Sequence, residues 1–174
     1  KTVFISYRRT NIFTARAVYD NLTRNGYDVF FDYAKIDSGD FSQIILRSIE
    51  SRAHFILILT PSALERCQNP NDWLRKEIEH ALLHKRNIIP LTFEGFSFSD
   101  MKKQLPANIA EPLGKYNGIR VPADFFDEAM TRLRTRFLDV PLEMVLHPAM
   151  PTTKAYEAEQ KQQANAQPAV TEAT

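Results

Sequence analysis

One cysteine, Cys67, stands among 174 residues, so the chain cannot close a disulfide on itself. Such sparing use of cysteine fits a reducing compartment, and a cytoplasmic location is the expectation. Net charge is nearly absent too: 22 Lys and Arg against 21 Asp and Glu leave +1. That sum offers no electrostatic case for nucleic acid or an anionic membrane surface as a partner. The sequence has no run of eighteen apolar residues, so the visible chain should not span a membrane. No targeting segment is visible either, although the chain starts at Lys1 and not at methionine. Phosphate-cradling glycine signatures are also missing. The loop "DYAKIDSGD" (Asp32–Asp40) carries three acids, one lysine and a single flexible point, Gly39. Dinucleotide recognition through the usual Rossmann turn is therefore not expected.

What is present is the makeup of a folded domain, with 44% hydrophobic and 25% charged residues. Short apolar runs alternate with amphipathic ones. "TVFISY" (Thr2–Tyr7) has the branched and aromatic content of a strand. "FTARAVYDNLTRNG" follows with Ala15, Val18 and Leu22 at helical spacing, and Asn25-Gly26 supplies a stop. "YDVFFD" (Tyr27–Asp32) predicts a second strand, and "FSQIILRSIESR" a second helix with Phe41, Ile44, Ile45 and Ile49 in phase. "AHFILILT" (Ala53–Thr60) lacks polar alternation, as a strand covered on both faces should. A helix over "NPNDWLRKEIEHALLHKRN" (Asn69–Asn87), strands at "NIIPLTF" (Asn87–Phe93) and "GIRV" (Gly118–Val121), and a closing helix over "ADFFDEAMTRLRTRFLD" complete the series. This β-α alternation predicts an α/β domain with a parallel sheet, and ligands in that class bind at the carboxyl ends of the strands. From Pro151 the composition turns to Ala, Gln and Thr. The expected division is a folded domain over 1–138, an extension over 139–150 and a disordered tail or linker over 151–174.

The third helix raises a question of its own. Asn69 before Pro70 predicts the N-cap, with Asp72 in the first turn. Leu74, Ile78, Ala81 and Leu82 form the sheet-facing side, and Trp73, Glu77 and His84 fall on its flank. Glu79 has Arg75 at the i−4 position of an ordinary surface pair, whereas Glu77 has Trp73 and Ala81. Spacing alone permits a bland reading, with Trp73 at a packing boundary and Glu77 solvated. It equally permits an acid at a partly desolvated site edge. His80 and His84 have metal-ligand spacing, but "HALLH" lacks the glutamate of H-E-x-x-H and no third ligand is suggested, so no metal is expected. Arg8 and Arg9 after the first strand could hold phosphates bidentately or be plain surface charges. Ser6, Ser62 and Cys67 have no evident histidine partner for nucleophilic catalysis.

Taken in order, "VFISYRR", "GYDVFFDYAKIDSGDFSQIILRSIESRAHFILILTPSALERC", "DWLRKEIEHALLHKRNIIPL" and "YNGIRV" resemble a TIR domain (Toll/interleukin-1 receptor homology). The likeness covers about residues 1–138 and is strongest to the enzymatic TIR domains of axon degeneration and antiphage defence. It implies a flavodoxin-like three-layer sandwich with five parallel strands. It further implies cleavage of NAD+ at the nicotinamide–ribose bond, giving ADP-ribose or a cyclic isomer. NAD+ is then the substrate, with no separate cofactor. In the enzymatic members the catalytic glutamate lies four residues beyond a tryptophan in the helix after the third strand, which matches Glu77 after Trp73. The same likeness places Tyr7, Arg8 and Arg9 at the substrate mouth, and Asp32, Gly39 and Phe41 at matching positions of the BB loop, Asp32–Phe41. That loop implies self-association with other TIR domains, and the polar tail a fused or partner sensor domain. The competing expectation is a TIR–TIR interaction module without chemistry. A receiver domain is disfavoured, because "SYRR" and "LTPS" stand where its acids belong. A nucleoside deoxyribosyltransferase would be a mechanistic relative.

Overall fold

The structure, a computed structural model, describes residues 1–31 and 39–139, without the side chains of 39–41. Five parallel strands form one sheet in the order β2-β1-β3-β4-β5. They are β1 (Thr2–Ser6), β2 (Asp28–Phe30), β3 (His54–Leu59), β4 (Asn87–Thr92) and β5 (Ile119–Arg120). The helices between them are α1 (Ile12–Arg24), α2 (Gly39–Ser51), α3 (Trp73–Leu83), α4 (Phe98–Gln104), α5 (Ala107–Leu113) and α6 (Phe126–Leu133). The chain continues from α6 into one π-helical turn, Arg134–Leu138.

Alternation along the strands sorts the core into two layers. Phe4, Phe55, Leu57 and Leu59 point to one face, where α2, α3, α4 and α5 cover them with Ile45, Ile49, Leu74, Ile78, Met101 and Ile109. Val3, Ile5, Ile56 and Ile58 point to the other, under α1 and α6 with Val18, Leu22, Met130 and Leu133. Every residue of β1, β3 and β4 is buried, as two covered faces require. This is the expected three-layer sandwich. The helix α1 stops where predicted: Gly26 takes a φ of 83°, and the Tyr27 N–H returns to the Leu22 carbonyl at 3.1 Å.

Pro90 sits in β4, an interior strand, where a missing N–H would normally cost a ladder bond. Here β5 pairs only with Leu91 and Thr92, so the gap at Pro90 falls just before that ladder begins. Gly118 lies against this point, and a Cβ there would stand 2.8 Å from the Pro90 carbonyl oxygen.

Three expectations need correction. The second strand is shorter than Tyr27–Asp32, spanning Asp28–Phe30. The third helix starts at Trp73 with Asp72 as its cap, not at Asn69, because residues 61–71 run as a series of turns instead of a helical lead-in. Two short helices, α4 and α5, fill the stretch between β4 and β5 in which no element was predicted. Asp32 and the rest of residues 32–38 lie outside the described residues, as do the side chains of Gly39 and Phe41 and everything from residue 140 onward. Among the described residues no helix is long and apolar enough to cross a membrane.

Candidate functional site

The strand order reverses between β1 and β3, since β1 leads outward to β2 while β3 leads to β4 and β5. In open α/β sheets the crevice at such a reversal is the place where ligands bind. Around it lie the residues after β1, Tyr7 to Arg9, and those after β3, Thr60 onward. Thr60 Oγ1 donates to Asn11 Oδ1 at 2.9 Å, tying the two loops together.

Helix α3 brings Glu77 to this crevice. Its carboxylate accepts a hydrogen bond from Ser6 Oγ at 3.4 Å, at the last residue of β1. Both residues are 0% exposed. Glu77 thus belongs to the buried face of α3 with Leu74, Ile78 and Ala81, and not to a solvated flank. The sequence contained a signal for this: Leu74, Ile78 and Ala81 follow i, i+4, i+7, and Glu77 fills the i+3 position of the same stripe. A glutamate in an apolar stripe must find polar company inside, because burying a lone carboxylate costs several kcal/mol.

The cap of α3 is also its anchor. The Asp72 side chain accepts from the Arg75 N–H at 3.1 Å, a capping bond that satisfies an orphan helix donor. The same carboxylate receives Arg8 in a bidentate pair, Nη1 to Oδ1 at 2.6 Å and Nη2 to Oδ2 at 3.1 Å. Arg8 Nε donates to the Ala63 carbonyl at 2.9 Å, and Nη2 approaches Cys67 Sγ at 3.5 Å. Burial pushes the Asp72 carboxyl up, but the hydrogen bonds from Arg8 and the Arg75 amide outweigh it and hold it below the usual range. Burial, followed by the charge of Asp72, pushes the Cys67 thiol up to about 12. It stays protonated at neutral pH and is no nucleophile.

The remaining predicted residues scatter around this frame. Tyr7 is 1% exposed and stacks on Phe31 at 5.1 Å between ring centroids, within the α1–α6 core layer. Arg9 is exposed at the start of a short 3-10 turn, Arg9–Asn11. Trp73 opens α3 half-buried, with Lys76 Nζ 5.5 Å from its ring centroid. It faces a cavity of about 660 Å³ between α2, α3 and α5, lined also by Leu46, His80, Leu83 and Tyr116. Trp73 and Glu77 are therefore one turn apart, with Glu77 turned to β1 and Trp73 to this cavity. The Arg8–Asp72 anchor was not foreseen, because 64 residues separate the partners.

The sequence matches the family described as TIR domain over residues 3–135. The chain belongs to the TIR-domain family. This TIR domain is 38% identical over 156 residues to NAD(+) hydrolase tir-1 of Caenorhabditis elegans, a match covering 87% of the chain and 15% of that protein. It is 35% identical over 140 residues to NAD(+) hydrolase sarm1 of Drosophila melanogaster, covering 78% of the chain and 10% of that protein. The chain thus spans a small fraction of the length of these relatives. Among solved structures, a metazoan TIR-STING receptor from C. gigas in complex with 2′,3′-cGAMP superposes with a TM-score of 0.52 at 21% identity. That superposition covers 74% of this chain and 38% of the receptor, and it shows a shared fold.

Proposed function

We propose that this TIR domain cleaves NAD+ at the bond between nicotinamide and ribose, with Glu77 as its catalytic residue. The observation that carries the reading is the buried carboxylate of Glu77 at the strand-order reversal, bonded to the end of β1. The names of the relatives, NAD(+) hydrolases, support the same substrate.

A single acid suffices for this chemistry. Most glycosidases need two carboxyls, one of them to protonate the departing oxygen. In NAD+ the nicotinamide ring is already cationic. When the C1′–N bond breaks, the electron pair stays with the ring nitrogen and neutralises it, so no proton is required. Positive charge passes to the ribose as an oxocarbenium-like centre, which Glu77 stabilises in a water-poor site where its charge acts strongly. Addition of water at C1′, with release of a proton, gives ADP-ribose. Capture by the substrate's own adenine gives a cyclic isomer. NAD+ is thus substrate, and no separate cofactor takes part.

In this reading the surrounding residues take the following parts. Arg9, exposed beside the crevice, meets the diphosphate, while Arg8 holds α3 against β1 through Asp72. Trp73 faces the α2–α3–α5 cavity and not the Glu77 crevice, so its part is to pack the start of α3, while Tyr7 supports the end of β1 from below. Asp32, Gly39 and Phe41 complete the BB loop, Asp32–Phe41, through which we infer self-association with other TIR domains. Glu77 has no exposed surface, so substrate entry requires the crevice to open. Assembly is the step we assign to that opening, which suits a cytoplasmic signalling or antiphage defence enzyme tethered to a sensor domain. The test is nicotinamide release from NAD+ by the wild type and by Glu77→Gln, with and without a crowding agent. The amide keeps the volume and the Ser6 bond. We expect release to fall by about a hundredfold or more while the circular dichroism spectrum is unchanged. Equal turnover would remove Glu77 from the mechanism.

A further inference from the structure

The fold supplies the third ligand that the two α3 histidines lack in sequence. Glu50, near the end of α2, places Oε1 at 2.8 Å from His80 Nε2 and 3.5 Å from His84 Nε2. The two imidazole rings lie 4.3 Å apart between centroids, and the three donor atoms fall within 4.8 Å of one another. A tetrahedral zinc ion with bonds near 2.0–2.2 Å requires donors about 3.3 Å apart. The two Glu50 separations bracket that value and the imidazole nitrogens lie within 4.8 Å of each other, so rotation of the three side chains is what brings all donors to that spacing. The backbone beneath is held firmly. Arg86, 2% exposed, donates to the carbonyls of Glu50 and His84 and ties the two helix ends together. The ligand side chains are 41%, 17% and 35% exposed for Glu50, His80 and His84, which leaves an entry path from solvent.

We propose that Glu50, His80 and His84 form a binding site for a divalent transition ion of the zinc class, with the fourth position open to water. Two imidazoles and one carboxylate are a donor set suited to zinc, and one unlike the all-oxygen shells that calcium and magnesium select. The bound ion replaces the Glu50–His80 hydrogen bond and the longer Glu50–His84 approach by metal bonds, and so clamps α2 to α3. His80 also lines the cavity that Trp73 faces, so the clamp abuts that pocket. None of the three ligands belongs to the Glu77 crevice, and the site stands whether or not the domain cleaves NAD+.

The experiment is zinc titration by calorimetry on the chain freed of any affinity tag and stripped with chelator, near neutral pH, together with thermal melts. The expected result is one zinc per chain and a raised melting temperature. Glu50→Gln and His84→Ala should each weaken uptake tenfold or more. Cobalt in place of zinc should give the absorption of a low-coordinate site, lost in both variants. His147→Ala serves as control and should titrate like wild type. Both test substitutions are at solvent-reaching positions, and dichroism reports whether they fold. Absence of saturable uptake, equal uptake in wild type and both variants, or loss of uptake in His147→Ala would each overturn the proposal.

Discussion

Arg8→Ala is the sharpest perturbation, because it separates a phosphate-binding arginine from a structural one. The side chains of Arg8 and Asp72 are 13% and 7% exposed, so the near-zero value of a surface pair does not apply. Removing one member of a buried, bidentate pair leaves the other as an uncompensated charge, at about 3–5 kcal/mol. The Asp72 carboxylate would keep its capping bond to Arg75, so the helix start survives in part. At about 3 °C per kcal/mol for a domain of this size, the melting temperature should fall by roughly 10 °C or more. Asp72→Ala should cost a comparable amount plus about 1 kcal/mol for the lost cap. The double variant should cost less than the two single ones together, since each single variant strands a charge that the double removes. The depressed Asp72 carboxyl adds a pH signature. A carboxyl lowered by folding stabilises at every pH above its unfolded value, about 3.9, and loses that contribution as pH falls through the folded value. The gap between wild type and Arg8→Ala should therefore be full at neutral pH and close only in strong acid. Thermal and denaturant melts of the four proteins read all of this. An Arg8→Ala domain that melts within about 1 °C of wild type but shows a raised KM for NAD+ would refute the anchor and restore Arg8 to the diphosphate.

The neighbouring arginine should behave in the opposite way: Arg9→Ala leaves the melting temperature within about 1 °C and raises KM for NAD+ several-fold in steady-state assays. Burial first, and then the nearby Lys1 side chain, lowers the His54 pKa to about 4. An imidazole kept neutral by folding stabilises fully above its unfolded value near 6.5. That contribution declines as pH drops from about 6.5 to about 4, by up to about 3 kcal/mol, and His54→Gln should flatten that stretch of a stability–pH curve. Gly118→Ala places a Cβ 2.8 Å from the Pro90 carbonyl oxygen and should destabilise by about 1–3 kcal/mol in urea melts, through displacement of β5.

Local pattern carries information over a few residues, and within that reach the sequence alone was decisive. The unbroken apolar run of β3, the Asn25-Gly26 stop of α1 and the Arg75–Glu79 pair, now 2.6 Å apart, are all set by neighbours along the chain. So is the alternation of strand and helix that specifies a parallel sheet. Helices α4 and α5 escaped because seven residues each are too few for a period to show. The start of α3 shifted because Asn69 closes a turn, accepting from the Asn71 N–H, while Asp72 caps the helix and is held there by a distant partner. That partner, Arg8, arrives from the segment just after β1, 64 residues away. Glu77 meets Ser6 across 71 residues, and Glu50 meets His80 across 30. No periodicity encodes such meetings. They exist because the sheet sets β1 beside β3, and because α2 and α3 pack side by side on one face. The sequence supplied the acid, the arginines and the histidines; the tertiary fold decided which of them stand together, and buried Glu77 and the Arg8–Asp72 pair where charge must be paired.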